Sequence, residues 1–373
     1  MMILFFVYTP LQLYFAQEII RQEKLTENIL LKGYVGTCNK FLEMYEFLKV
    51  PQVWQKEYLK ADISNWLDVN LHKPISSIFK IRNSYKEISQ IIKENEVGTI
   101  YFGDINNSSC RLAANIFSRQ GIKICFFEEG ASHYSVHPTG GMLSHRTFWA
   151  RLFQAFFDLT LFIPVFRQRL GYWAFVKPMQ FSDMHIDIRF SVIPKFKETF
   201  DRKLTCAGAV GEKAKALIAD ECVSFNVNNS ILFLDQPIYE VVRNSVDCYL
   251  KTIDDSLATL PDGTNVVIKY HPRETDYIKH QIEELFNKRN IKFFVISQEV
   301  NLPIEFYLQQ IQFRKVLNFY TSSALYNGYL FEKIQFEYLI ENFYYNCLQN
   351  GLKEAYIVEN IIKEYKENIK TTF

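Results

Sequence analysis

Three short clusters in this 373-residue chain carry side chains able to move a proton or hold a small anion. The first is FFEEGASHY, Phe126–Tyr134, where Glu128 and Glu129 end an apolar run and Gly130 permits a sharp turn with positive φ. A carboxylate there could take a proton from a hydroxyl group. Neighbouring strand residues point to opposite faces, so one of the two glutamates faces the opening beyond the strand. A solvated strand end or a helix-capping acid accounts for the same pair. The second cluster is VVIKYHPRET, Val266–Thr275. Pro272 pushes His271 toward extended backbone, with Arg273 alongside. An imidazole so placed could protonate or charge-stabilise a departing phosphate, although a lone histidine at a strand end is also an ordinary loop residue. The third is NFYTSSALYNGYLF, Asn318–Phe331, where Thr321, Ser322 and Ser323 offer hydroxyls and N–H groups to an anion or simply cap a helix. Glu305 begins another helical pattern, where an acid suits the helix dipole and could also accept from ribose hydroxyls. Asp235 and Gln236 close a further apolar run just before Pro237.

Ligands of doubly wound sheets bind where loops leave the carboxyl ends of strands, so the elements that position these clusters matter as much as the clusters. Short apolar runs alternate with helical patterns. In the first half the sequence predicts strands at Ile3–Tyr8, Asn28–Tyr34, Pro51–Trp54, Thr99–Phe102 and Ile122–Phe127. Helices are predicted at Leu11–Gln22, Asn39–Leu48, Ile75–Glu94 and Ser108–Gln120, with Pro10 tolerated at a first helical position. A second alternation has strands at Ser230–Leu234, Asn265–Tyr270, Ile291–Ile296 and Lys315–Phe319. Its helices are Tyr239–Leu257, Thr275–Lys288, Ile304–Gln310 and one from near Ser323. The pattern is that of parallel α/β sheets. Residues 1–215 form a first Rossmann-like domain and 228–349 a second, with a loop-like boundary around Phe196–Asn229. A helical tail over 350–373 is long enough to cross back onto the first domain.

Composition removes several function classes. Lys+Arg 42 against Asp+Glu 41 gives a net charge of +1 and no electrostatic footprint for nucleic acid. Seven scattered cysteines without a CxxC pair suit free thiols in a reducing cytoplasm. GxGxxG, Walker A and GxSxG are missing, as is an Asp-x-Asp pair at a strand end to hold a metal–diphosphate donor. His133, His137 and His145 cluster loosely, without the strand or helix context of a zinc site. The apolar N-terminus lacks a basic segment and a cleavage site and reads as a buried strand. Arg146–Lys177, rich in Phe, Leu and Trp, is either buried at a domain or homodimer interface or lies peripherally on a membrane.

Together the clusters resemble bacterial sialyltransferases of glycosyltransferase family 52 and related sialyl- and polysialyltransferases. The resemblance rests on Tyr8-Thr9-Pro10-Leu11-Gln12, Glu128-Glu129-Gly130, His271-Pro272-Arg273, Ile304-Glu305 and Tyr320-Thr321-Ser322-Ser323-Ala324-Leu325, in that order. It implies an α/β GT-B fold, two Rossmann-like domains with parallel sheets facing a central cleft. It also implies inverting, metal-independent transfer of sialic acid from CMP-sialic acid (CMP-Neu5Ac), with no cofactor, to a terminal sugar such as galactose on a lipooligosaccharide or capsule. His271 would be the acid, and Glu128 or Glu129 the base, with Asp235 next in order. Pro272, Arg273, Glu305, Thr321, Ser322, Ser323 and Gln236 would line the CMP site, and Thr9, Gln12 and Gly130 the acceptor side. The alternatives are a GT-B transferase using CMP-Kdo or a UDP-sugar, and a non-catalytic nucleotide- or glycan-binding subunit of capsule assembly.

Overall fold

The structure, a computed structural model, describes residues 1–33, 40–60, 86–103, 110, 113–114, 117–118, 120–128, 186–193, 201–206, 208, 210–225, 230–296, 300 and 302–372. Glu129, Gly130, the three histidines near position 140 and the Arg146–Lys177 stretch lie outside the described residues. The chain divides into two compact units, Met1–Gly211 and Glu212–Phe373.

The first unit is built on β1 (Met2–Val7), β2 (Asn28–Gly33), β3 (Lys56–Lys60), β4 (Val97–Phe102), β5 (Lys123–Phe127), β6 (Ile188–Ser191) and β7 (Arg202–Lys203). All pairs are parallel, in the order β3-β2-β1-β4-β5-β6-β7. Alternation sends Leu4, Phe6, Ile100, Phe102, Ile124 and Phe126 to one face, where they join a core with Ile88, Ile91 and Phe117. Phe6, Phe102 and Phe126 stack in sequence across three strands at centroid spacings of 4.9 and 5.4 Å. On the other face Phe5 stacks on Tyr101 at 4.5 Å. Such aromatic pairs add packing energy beyond the area they bury.

The second unit carries β8 (Ile231–Leu234), β9 (Asn265–Lys269), β10 (Lys292–Val295), β11 (Lys315–Asn318) and β12 (Gln335–Tyr338), again all parallel, in the order β10-β9-β8-β11-β12. Ile231, Phe233, Val266, Ile268, Leu317 and Phe319 form one buried face. The helices Val246–Leu257, Asp276–Lys288 and Ile340–Gln349 pack on it through residues such as Tyr249, Ile282 and Phe343. The final helix, Ala355–Thr372, places Ala355 and Val358 in this same core, so its described apolar face belongs to the second unit. Two parallel α/β units are the expected fold class. No helix among the described residues is long and apolar enough to cross a membrane, and the N-terminal run is the buried strand β1.

Several elements differ from expectation. The strand predicted at Pro51–Trp54 is a 3-10 turn over Pro51–Val53, and the pairing strand is β3. Trp54 N–H turns back to the Pro51 carbonyl, and pairing with β2 resumes only at Gln55, whose N–H reaches the Asn28 carbonyl. The helix predicted over Tyr239–Leu257 is a 3-10 turn, Ile238–Val241, followed by Val246–Leu257; Asn244 between them has φ 57°, incompatible with a continuous helix. The helix expected from Ser323 is a 3-10 turn over Ser322–Tyr326. The predicted boundary loop contains β7 and the helix Glu212–Phe225, and the division falls at 211/212. Residues 86–94, the described part of the helix expected over Ile75–Glu94, are helical.

In each sheet the strand order reverses direction beside the first strand, between β1 and β4 and between β8 and β11. These are the switch points at which crevices open beyond the carboxyl ends. Thr9 caps the helix Pro10–Glu23, accepting from the Gln12 N–H at 3.3 Å. Gln12 is fully buried, and its Oε1 accepts from Tyr8 N–H at 2.6 Å while its Nε2 donates to the Gly103 carbonyl at 2.9 Å. It therefore ties the end of β1 to the end of β4. Gln12→Ala would leave buried backbone groups unpaired at a cost of about 1–3 kcal/mol. The substitution is expected to lower the urea midpoint of the chain; an unchanged midpoint would show that the tie carries no load.

Candidate functional site

The described site residues of the second unit come together because its strands all end on one edge. β8 ends at Asp235, β9 runs through Tyr270 into His271, and β11 runs into Tyr320 and Thr321. Pro272 removes a backbone donor and, with the turn that carries the Glu274 N–H to the His271 carbonyl, closes a short loop. Within it the Arg273 N–H donates to His271 Nδ1 at 3.2 Å. Nδ1 thus acts as acceptor, and the proton of the neutral ring is on Nε2. His271 is half-buried. Burial, then the positive charges of Arg273 and Lys269, push its pKa down to about 4. The unliganded imidazole is neutral at physiological pH and presents an N–H.

Asp235 lies beneath this loop. It is 3% exposed and accepts from the Tyr249 hydroxyl and, at 3.2 Å, from the His271 backbone N–H. Burial first, and then the Glu274 carboxylate, raise its pKa to about 7. Glu274 accepts from the Tyr239 hydroxyl at 2.6 Å and the Thr275 N–H at 2.8 Å. Gln236 spans to the neighbouring strand end, donating to the Tyr320 carbonyl and accepting from its N–H at 2.7 Å. Its amide is engaged with backbone on both sides. Pro272 and Arg273 are exposed, and Arg273 pairs loosely with Glu240 at 3.7 Å.

The Thr-Ser-Ser triplet makes a compact hydroxyl network. Thr321 Oγ1 accepts from the Ser323 N–H at 3.3 Å, and Ser323 Oγ donates to Glu305 Oε1 at 2.7 Å. Ser323 is buried and engaged with Glu305, whereas Ser322 is half-buried at the start of the 3-10 turn. Glu305 is 5% exposed, and burial raises its pKa against the opposing pull of Ser323 and Lys269. Lys269, two residues before His271, is buried near Glu305 and Glu221, with its ammonium 5.6 Å from the centre of the Tyr307 ring. Burial lowers its pKa to about 8, against the pull of the two carboxylates. Tyr307 in turn donates to Glu221 at 2.7 Å.

In the first unit, Glu128 follows β5 and is fully buried. Its Oε2 accepts from Ser191 Oγ at 2.9 Å and from the Val192 N–H at 2.7 Å, joining the ends of β5 and β6. Glu129 and Gly130 fall outside the described residues, and Thr9 and Gln12 hold the β1 end as described above.

Sequence reading missed Lys269, Glu274 and Tyr249. Lys269 sits within a β-rich run and reads as one polar strand position. Glu274 precedes Thr275 and Asp276 and reads as another acid near a helix start. Tyr249 sits on a helix face twelve residues or more from any cluster, and nothing local ties it to Asp235. A cavity of ≈ 830 Å³ is lined by Leu308–Arg314 and Glu332–Gln335, where β11 and β12 begin, at the sheet edge opposite His271. It contains none of the site residues.

A family model described as Alpha-2,8-polysialyltransferase (POLYST) matches residues 3–339. No curated protein matches the sequence. Among solved structures, similarity extends to the UDP-GlcNAc 2-epimerase of Neisseria meningitidis bound to UDP-GlcNAc, at 13% identity and TM-score 0.47, covering 100% of this chain and 94% of that one. It also extends to a glycosyltransferase from Rickettsia africae, at 11% identity and TM-score 0.43, covering 100% and 94%. A third is HepE of Anabaena in complex with UDP, at 11% identity and TM-score 0.42, covering 100% and 96%.

The state of His271 is directly measurable. A histidine pKa held below its unfolded value stabilises the fold above pH 6.5, and that contribution is lost as pH falls toward about 4. The His271 ring proton resonance, assigned with His271→Gln, is expected to stay flat between pH 6 and 8 in the unliganded protein. A titration centred near the ordinary histidine value would contradict this placement.

Proposed function

The chain belongs to the alpha-2,8-polysialyltransferase family, and from that premise we propose that it moves sialic acid from CMP-sialic acid to a bacterial surface glycan by a metal-independent, inverting displacement. Family membership makes it a glycosyltransferase of the sialyl-transferring kind. The donor, the acceptor and the stereochemistry are our reading. The observation that carries it is the His271 imidazole, held through Nδ1 so that a protonated Nε2 remains, at the strand edge that also bears Ser322.

Departure of CMP places negative charge on one phosphate. His271 Nε2–H would donate to that phosphate, with Ser322 adding a hydroxyl and Arg273 a nearby positive charge. An anion at this position favours the charged imidazole: a second proton enters on Nδ1 in place of the Arg273 N–H contact, and the ring, now protonated on both nitrogens, can act as an acid. A monophosphate leaving group carries less charge than a diphosphate, and a histidine with fixed donors can stabilise it without a divalent metal. Glu305 sets the Ser323 hydroxyl and is the group nearest in kind to a ribose acceptor. For the base we favour Glu129. Glu128 has Oε2 committed to Ser191 and Val192, and Asp235 is committed to Tyr249 and His271. The family description moves the preferred acceptor from galactose to the 8-hydroxyl of a terminal sialic acid, the hydroxyl from which Glu129 would draw the proton.

His271→Ala is expected to lower sialyl transfer roughly a hundredfold or more, while the chain still unfolds cooperatively. Glu129→Gln should do the same. A loss of less than about tenfold in either would remove the role assigned to that residue. Transfer measured in EDTA should match transfer in magnesium; abolition by EDTA with recovery on adding magnesium would reject the metal-free mechanism. Turnover of a UDP-sugar and not of CMP-sialic acid would reject the donor.

A further inference from the structure

Beneath the His271 loop lies a second carboxyl group that the mechanism above leaves without a task. Glu274 is 6% exposed. Its Oε1 takes the Tyr239 hydroxyl and the Thr275 N–H, while its Oε2 is buried and meets no donor. Asp235, 3% exposed, lies against it, close enough for a carboxyl–carboxyl hydrogen bond. Two ionised carboxylates cannot make that bond, because neither has a hydrogen to give. One proton between them solves two problems at once. It supplies the donor that Glu274 Oε2 lacks, and it removes one of two like charges from a site poor in water.

We propose that Asp235 and Glu274 hold a single proton in common, and that Glu274 is thereby a positioning residue for His271. The route is short: Glu274 holds Asp235, and Asp235 holds the His271 backbone N–H at 3.2 Å. The inference about His271 rests on the function proposed above, whereas the shared proton does not. Burial raises the pKa of Asp235 to about 7, with the Glu274 charge the next contribution. The other groups facing the pair are Tyr239 from the 3-10 turn, Tyr249 from the Val246–Leu257 helix and Tyr270 from the end of β9. Burial raises all three, so they stay neutral donors across the working range. Tyr270 also reaches Glu283 on the Asp276–Lys288 helix at 3.3 Å. Arg273 and Glu240 form their loose pair on the exposed side of the loop, and the pair keeps a net charge of −1.

A carboxyl whose folded pKa lies above its unfolded one binds its proton more tightly in the folded state. Its contribution is complete below about pH 4 and is lost as pH rises toward about 7. Glu274→Gln replaces the shared proton with a permanent amide N–H aimed at an ionised Asp235, and keeps an oxygen for Tyr239 and Thr275. Glu274→Ala removes both. The experiment compares full-length wild type, Glu274→Gln and Glu274→Ala by thermal unfolding across pH, by hydrogen exchange of the His271 amide, and by the pH profile of sialyl transfer. The fall in midpoint between about pH 5 and pH 7.5 is expected to shrink by roughly half or more in Glu274→Gln. The His271 amide should exchange about tenfold faster or more in Glu274→Ala and return toward wild type in Glu274→Gln. In the transfer profile the alkaline limb near pH 7 should move up by about a unit or more in Glu274→Gln. Identical midpoint curves for wild type and Glu274→Gln would overturn the shared proton, and equal amide exchange in all three proteins would overturn the positioning role. If Glu274→Ala does not fold, the Glu274→Gln curve decides alone. If wild type transfers no sialic acid, the proposed function fails while the midpoint and exchange results still judge the pair.

Discussion

Asp235 brings an ionisable carboxyl out of water at the carboxyl edge of a parallel sheet, and much of the neighbouring architecture answers that demand. Its oxygens draw a hydroxyl from the Val246–Leu257 helix and a backbone N–H from the loop after β9. The first contact fixes a helix against the end of β8. The second fixes the shape of the His271 loop, because a backbone amide can be held in place only if the residues around it follow. Pro272 and the Glu274-to-His271 turn then have few alternatives. Removing either contact from a buried carboxyl costs more than the bond itself is worth, since the oxygen left behind finds no water. The loop geometry is thus imposed from below.

The opposite face of β9 has a different electrostatic character. Alternation sends Lys269 away from the apolar core and toward Tyr307, Glu221 and Glu305. Lys269 and Arg273 bracket His271 in sequence, and both contribute to keeping the imidazole uncharged. The half-buried ring thus stands between two cations that, after burial, disfavour its charged form. An arriving anion meets favourable potential from both flanks, and its presence removes the reason for the ring to stay neutral.

Much of this organisation could be read from the sequence wherever a strand is buried on both faces. LFFV, VVIK and ILFL are apolar enough to declare themselves, and the polar residues that follow them sit at the carboxyl edge as expected. The strands that escaped notice are β3, β6, β7 and β12, with sequences KEYLK, IRFS, RK and QFEY. β3, β7 and β12 are sheet edges or beside them, short and charged, and they pair because a neighbour offers a ladder and not because their own residues prefer it. The helix Glu212–Phe225 was hidden for a related reason: among its described residues only Ala214 and Ile218 are buried apolar positions, too few to mark a stripe. His271, Asp235 and the Thr-Ser-Ser triplet were visible through their positions after strands. Glu274 and Tyr249 were not, because what joins them to Asp235 is the fold and not any spacing along the chain.

Both sheets fasten their switch points with the same kind of side chain. Gln12 reaches from the β1 end to Gly103 beyond β4, and Gln236 reaches from the β8 end to Tyr320 beyond β11. An amide can donate and accept at once, so one residue closes the gap where the strand ladders part company. The spacing of the strand ends at each switch point is therefore held by a side chain of the same unit. Widening either gap means breaking an amide away from its backbone partners, and the cost is greatest at Gln12, whose partners are buried.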